Sequence, residues 1–364
     1  MKRLCFLVIC MSIIMGCSTS TSSTKALVDY VDPNIGTAHC RWFFYTPAAI
    51  PFGMAKLAPS TDAHLGNPGG WQAVGYDFRH TSIEGFANFH EFQVGGVVFA
   101  PTVGELQTVP GELENPDGGY RSRFDKKDEV AAPGYYSVLL KDYGVKAELT
   151  AMKRVGFHRY TYPKTELANL IFDIGNKQGE SGEVKDAEVQ YFEDGRVEGY
   201  VITSPVYVNI YQKGADVRMY FSAVLNKKPV QVGTFVKDVV NPGKHQEKGP
   251  GAGLYMTFST EEQEAVEVKG GLSYTSIENA RFNRETEAAD VTFDQAKKNA
   301  TDVWNESLSR IYVEGGKETD KVKFYTGLFH ALLGRGLASD ANGSYPKNNG
   351  TVGRIALDEE GNPV

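Results

Sequence analysis

Tyr135-Tyr136-Ser137-Val138-Leu139-Leu140, then Asp142-Tyr143-Gly144, then Val145-Lys146-Ala147-Glu148-Leu149 is the stretch that decides the fold. Two short runs rich in apolar residues flank a turn triplet ending in glycine, a β-hairpin signature. Residues 149–162 continue with a period of two, which places Leu149, Ala151, Val155 and Phe157 on one predicted face. Residues 206–211 and 217–221 read as neighbouring strands, and residues 254–258 and 272–274 add two more. Gly, Pro, Asn and Asp punctuate these runs. Short strands across residues 27–284, with little helical periodicity, predict a mainly β fold: a large two-sheet antiparallel β-sandwich.

The pattern changes near Asn283. Residues 292–311 carry Phe293, Ala296, Ala300, Val303, Trp304, Leu308 and Ile311 at three- and four-residue spacing, which predicts a helix. Glu314-Gly315-Gly316 ends it. Residues 320–337 predict a second helix that buries Val322, Phe324, Tyr325, Leu328, Phe329, Leu332 and Leu333, with Asp320 or Thr319 placed to cap it. A lone helix of this kind leaves Phe324, Leu328 or Leu332 exposed.

Residues 1–16 read as a lipoprotein signal peptide: a basic start, an apolar run, then Ile14-Met15-Gly16-Cys17. The apolar run is too short to span a bilayer. Cys17 is the predicted lipidation site, and residues 17–26 form a flexible Ser/Thr tether. No acidic cluster follows Cys17, and the next residue is Ser18 rather than aspartate, which favours an outer-membrane lipoprotein of the bacterial cell envelope, on its periplasmic face or the cell surface. Cys5 and Cys10 leave with the signal and Cys17 carries lipid, so Cys40 alone remains and no intrachain disulfide is expected.

A net charge of −7 with scattered Lys and Arg argues against nucleic-acid binding. Aromatics at 12% suit sugar stacking and a plain sandwich equally, so composition does not choose between them. The spacings of His39, Cys40, His64, His80 and His90 match no zinc pattern. Asp62, Asp77 and Asn67 are only loose candidates for calcium, and no metal ligand is assigned. Phosphate-loop, dinucleotide and nucleophile-elbow motifs are absent from the sequence.

Several motifs shape loops. Asp32-Pro33-Asn34-Ile35-Gly36-Thr37 and Pro51-Phe52-Gly53-Met54 carry no strongly reactive set, and their Gly and Pro residues suit tight turns that meet a neighbouring domain. Gly69-Gly70-Trp71 presents a tryptophan on open backbone, which favours stacking on a sugar. Trp42 and Trp304 read as packing residues.

The ordered string Val31-Asp32-Pro33-Asn34-Ile35-Gly36-Thr37, Tyr45-Thr46-Pro47-Ala48-Ala49-Ile50-Pro51-Phe52-Gly53-Met54, Gly70-Trp71-Gln72-Ala73-Val74-Gly75-Tyr76, Ile83-Glu84-Gly85-Phe86 and Pro101-Thr102-Val103-Gly104 resembles the opening of glycoside hydrolase family 92, the calcium-dependent exo-α-mannosidases. The resemblance covers roughly residues 28–345. It implies a β-sandwich over 27–284, a helical linker over 285–316 and the start of an (α/α)6 catalytic barrel over 317–364. It implies mannose-containing glycans as partners, Ca2+ as cofactor and hydrolysis with inversion. It also implies catalytic carboxylates in the barrel beyond Val364, since residues 358–364 read as the middle of a loop.

Site residues follow from the same resemblance. Trp71, with Gly70, matches the family's leaving-group subsite, His90 a histidine near the active-site rim, and Asp340 an aspartate that helps hold the terminal mannose. Glu91 and Ser344 depart from the usual family wording, which puts linkage preference and the role of Asp340 in doubt. Glu84, Glu91 and Asp77 match neither catalytic role. The alternative reading is a non-catalytic carbohydrate-binding lipoprotein, which calls for a polar surface on the helix over 320–337.

Overall fold

A computed structural model describes residues 25–38, 45–62, 75–90, 95–176, 181–334, 336–348, 350–359 and 361. Cys17, Gly70, Trp71, Trp42 and Glu91 lie outside the described residues.

Two antiparallel sheets face each other. One has seven strands in the spatial order Ala58–Ser60, Gly85–Ala87, Val98–Val103, Thr165–Asp173, Ala252–Thr260, Gln231–Val236 and Val239–Pro242. The other has nine, in the order Gln246–Lys248, Glu183–Tyr191, Val197–Ser204, Val217–Leu225, Glu264–Ser273, Val155–Tyr162, Val145–Ala151, Tyr135–Leu140 and Val130–Ala132. The hairpin forms with Leu140 opposite Val145 and Tyr135 opposite Thr150. Phe86, Phe99, Leu149, Leu170, Phe172, Met219, Phe221 and Met256 fill the space between the sheets.

Residues 149–162 do not share one face. The chain turns between Ala151 and Val155, so Leu149 sits opposite His158 and Thr150 opposite Phe157. Leu149 and Ala151 therefore point into the sandwich, with Tyr160 and Tyr162. Val155 and Phe157 point the other way, under helices, with Ala288, Phe293 and Ala296. A period of two survives a hairpin only when the turn keeps the phase, and this one does not.

Four α-helices are present among the described residues. The first, α1 (Val206–Tyr211), replaces the strand expected there. Pro205 has no N–H for a ladder and opens the helix at φ −60°. Asn209 holds the turn by donating to the Pro205 and Ala215 carbonyls at 2.8 and 3.1 Å. The second, α2 (Ile277–Ala288), lies where strands were expected to end. Its buried face is Ala280, Asn283, Arg284 and Ala288, too small and polar for apolar periodicity to register. Gly271 lets it approach the sheet, because a Cβ there would stand 2.1 Å from the Ala280 carbonyl oxygen.

Helices α3 (Phe293–Leu308) and α4 (Glu318–Leu333) confirm the two periodic segments. Thr292 and Gln295 form a capping box on α3. On α4 the N-cap is Lys317 rather than Thr319 or Asp320, and Asp320 instead accepts the Lys317 N–H at 3.2 Å. Tyr325, Thr326, Phe329 and Leu333 are its buried face, while Phe324 stays 38% exposed and Leu328 and Leu332 are half-buried. No helix among the described residues is long and apolar enough to cross a membrane.

A second core ties the helices to the sandwich. Trp304, Leu308, Tyr325, Phe329 and Leu333 pack with Ala49 and with Leu27, Val28 and Tyr30 of the N-terminal segment. The Trp304 indole N–H donates to the Ala49 carbonyl at 2.7 Å. Asp32, next along, accepts the Asn34 N–H at 3.0 Å, and Gly36 completes the turn at φ +83°. Trp304→Ala removes a fully buried ring and orphans that carbonyl. Stability should fall by about 3–5 kcal/mol, read as a lower midpoint in urea; an unchanged midpoint would show that this core does not hold the helices.

Candidate functional site

The helical part meets the sandwich at the turn of Pro51-Phe52-Gly53-Met54, as such a Gly/Pro stretch is expected to do. Gly53 N–H returns to the Ile50 carbonyl at 3.1 Å, and Phe52 takes φ +54°. Phe52 donates to the last-turn Leu332 carbonyl at 3.1 Å and accepts from Leu337 N–H at 2.8 Å. Lys56, only 1% exposed, donates from Nζ to the Gly334 carbonyl at 2.7 Å. A cation on the C-terminal carbonyls of α4 is favoured by the helix dipole.

His90 hangs from this same strip. Lys56 bridges to Phe89, and His90 N–H donates to the Lys56 carbonyl at 3.0 Å. Its ring is 2% exposed and stacks on Tyr45, centroids 4.8 Å apart at 28°. Neither ring nitrogen makes a hydrogen bond among the described residues. Burial holds the imidazole down at about 3, with its own and the Pro59 carbonyl acting weakly against that. The ring is therefore neutral near pH 7 and keeps one donor and one acceptor uncommitted.

The strand side of this loop is anchored by His158. Asn88 gives its amide N–H to the Val97 carbonyl at 2.7 Å, so its Oδ1 faces His158 Nε2 at 2.9 Å as an acceptor. His158 Nδ1 then accepts from Tyr160 Oη at 2.8 Å, which assigns the tautomer.

Asp340 is 1% exposed and fully engaged. Its Oδ1 accepts from Asn283 Nδ2 at 2.8 Å, and its Oδ2 from Thr275 Oγ1. Asn283 also accepts the Ala341 N–H at 2.8 Å, and Asn342 donates to Asn279 Oδ1 at 2.8 Å. The loop after α4 is thus bolted to α2, and Asp340 stands behind Thr275 rather than in open solvent.

Thr275 lines a cleft of about 770 Å³. Its walls are Val208 and Gln212 at the end of α1, residues 214–216, the start of the strand Val217–Leu225, Tyr274 and Thr275, and residues 336–338, 346–348 and 350–352. Tyr274 also packs on Phe89 at 5.0 Å, so the cleft, His90 and Asp340 are linked through Tyr274 and Thr275. Sequence reasoning missed Asn283, Thr275 and His158; nothing in their local pattern distinguishes them from ordinary polar residues.

The sandwich carboxylates are committed elsewhere. Glu84, 1% exposed, pairs with Arg121 at 2.9 Å, and Asp77 is held by Arg79 at 2.6 Å. No three His, Cys, Asp or Glu side chains among the described residues come together to hold a metal ion. Calcium asks for six to eight oxygens, and the described residues therefore offer it no carboxylate cluster.

Residues 30–273 match the family model described as the glycosyl hydrolase family 92 N-terminal domain. Residues 279–360 match the one described as its catalytic domain. The chain is similar to the family GH92 α-mannosidase of Bacteroides thetaiotaomicron solved in complex with mannoimidazole: 28% identity, TM-score 0.82, covering 91% of this chain and 43% of that one. An inverting GH92 mannosidase of Bacteroides thetaiotaomicron VPI-5482 has 22% identity and TM-score 0.76, with 92% and 44% covered, and carries the fold alone. The chain spans less than half the length of these solved relatives. No curated protein matches it.

Four histidines predict acid sensitivity. Burial holds His90 and His158 at about 3, His330 at about 4, and His80 below its ordinary value. They are neutral when folded and titrate near 6.5 when unfolded, so unfolding takes up protons below that pH. Their stability is present above pH 6.5 and lost as pH falls toward 4, each contributing up to about 1.4 kcal/mol per pH unit. Asp173, raised by burial to about 6, acts oppositely: below pH 6 the folded state gains a proton that the unfolded chain binds only near 4. The urea midpoint should therefore drop between pH 7.5 and 5.5, more steeply below pH 6.5, where three or four unfolded imidazoles take up protons against the single opposing Asp173; a flat profile would show these rings are not buried neutral.

Proposed function

Because the chain belongs to glycoside hydrolase family 92, we propose that it builds the sandwich and first catalytic-domain helices of an exo-α-mannosidase. The full enzyme removes terminal α-mannose from N-glycans or mannans, with inversion and with dependence on Ca2+. The observation that carries this reading is the likeness to an α-mannosidase solved with mannoimidazole.

An inverting glycosidase needs an acid and a base roughly 6.5–9.5 Å apart, with room for water between them. Glu84 and Asp77 are buried in ion pairs with arginines, so neither is free to serve. In the full enzyme proposed here the acid, the base and the calcium ligands lie beyond Val364. The contribution of residues 1–364 is placement. Trp71, beside Gly70, stacks on the leaving sugar, with the neutral His90 at the rim, while Asp340, fixed by Asn283 and Thr275, shapes the wall near the terminal mannose.

We extend the proposal to the envelope: Cys17 is acylated and anchors the enzyme in the outer membrane. Cys17→Ser should move the protein from the membrane to the soluble fraction, and continued membrane association would remove the anchor from the reading.

Hydrolysis of α-mannobiose by the full-length enzyme tests the function. β-Mannose should appear first in the proton NMR spectrum, and EDTA should abolish turnover until Ca2+ is restored. Trp71→Ala should lower kcat/KM by about 10- to 100-fold, the equivalent of one lost stacking contact. Unchanged cleavage by that variant would sink the leaving-group assignment, and full activity in EDTA would sink the calcium dependence.

A further inference from the structure

The cleft beside Thr275 has a charge pattern that packing does not explain. Among the described residues, three side chains of acidic or basic type line it: Asp216, Arg218 and Lys347. Asp216 is engaged by Lys185, which lies outside the lining. Arg218 and Lys347 make no ion pair and no side-chain hydrogen bond with any described residue, in a chain of net charge −7. Most of the other arginines are paired: Arg121 with Glu84, Arg154 with Glu287, Arg159 with Glu267 and Arg281 with Glu198. A half-buried guanidinium with no carboxylate adds little to stability and keeps its fork of donors for something else.

The surroundings of Arg218 keep that fork open. Gly350 stands alongside it at φ +78°, and a Cβ there would lie 3.4 Å from Arg218 Nη1. The guanidinium thus faces a residue without a side chain. Tyr220, one strand step along on the same face, and Tyr274 supply two half-buried aromatic rings to the cleft. Gln212 donates from Nε2 to the Asn348 carbonyl at 3.3 Å, which closes one wall between α1 and the 344–354 hairpin. A volume of about 770 Å³ is within the range of small-ligand sites.

We propose that this cleft binds an acidic saccharide, a sugar bearing a carboxylate or phosphate, with Arg218 taking the anion, Lys347 adding charge at the mouth, and Tyr220 and Tyr274 receiving the ring faces. The planar guanidinium matches either anion with two parallel N–H donors, and tyrosine rings suit the C–H faces of a sugar. The saccharide part rests on the glycan-handling reading above; the anion part rests only on the cleft. The site gives the enzyme a means of selecting decorated glycans, because a neutral glycan leaves Arg218 unpaired. Thr275 joins the cleft to Asp340, so an occupied cleft lies one hydrogen bond from the wall assigned to the terminal mannose.

The test is calorimetric titration of the chain with methyl α-mannoside, mannose 6-phosphate, methyl glucuronide and inorganic phosphate, each as a separate probe. At least one charged sugar should bind about tenfold or more tighter than methyl α-mannoside, the worth of one charge-assisted pair. The phosphate and carboxylate arms tell the two anion sources apart. Arg218→Gln should erase the preference, Lys347→Gln on the exposed hairpin should reduce it, and Arg218→Lys should restore part of it. Equal binding of charged and neutral sugars, or a preference that survives Arg218→Gln in a variant with wild-type melting, would overturn the proposal. So would inorganic phosphate binding as tightly as the charged sugars, which would mark an adventitious anion site. Hydrolysis is not read in this experiment, so failure of the mannosidase reading and failure of this one are separate outcomes.

Discussion

Burial of the strand Val155–Tyr162 on both faces is the constraint on which the rest of the molecule depends. Its inner face gives His158, Tyr160 and Tyr162 to the sandwich core. Its outer face gives Val155 and Phe157 to helices α2 and α3. A strand buried on one side only would leave the helices with nothing to cover, and α3 could not bring Trp304 onto Ala49. Arg159 repeats the arrangement at the edge, reaching Glu267 on the next strand at 2.7 Å and Asp294 on α3 at 3.0 Å.

Polar groups then decide where the candidate site stands. His158 holds Asn88, Asn88 leads to Phe89 and His90, and Lys56 lies alongside with its ammonium on the end of α4. On the other flank Asn283 and Thr275 hold Asp340. His158, Asn88, Lys56, Asn283 and Asp340 are buried and hydrogen-bonded, so each carries a large cost if its partner is removed. Directional bonds of this kind fix loop positions that apolar packing, which has no preferred direction, leaves open. The two flanks converge on Tyr274 and Thr275, where the cleft opens.

Much of the plan was legible in the chain. The hairpin around Asp142-Tyr143-Gly144, helices α3 and α4, the turn role of Asp32 to Gly36, and the meeting of Pro51 to Met54 with the helical part all follow from pattern and turn chemistry. The errors have physical causes. Residues 206–211 look like a strand because Val, Tyr and Ile favour one, yet Pro205 and the Asn209 bonds make a helical turn. Helix α2 escaped notice because its packed face is alanine, asparagine and arginine. The shared face assigned to Leu149 and Val155 failed at the hairpin turn, where the phase changes.

The sequence by itself determined the two-sheet class, the two amphipathic helices and the family, because alternation, helical spacing and an ordered set of Gly, Pro and Trp motifs are local properties. It also placed His90 and Asp340 as residues of interest. Only the tertiary structure decided that His90 is neutral and uncommitted, that Asp340 is tied behind Thr275, and that Arg218 stands in a cleft without a carboxylate. Protonation and pairing depend on burial and on neighbours such as Asn283, 57 positions from Asp340 along the chain, which no local pattern encodes.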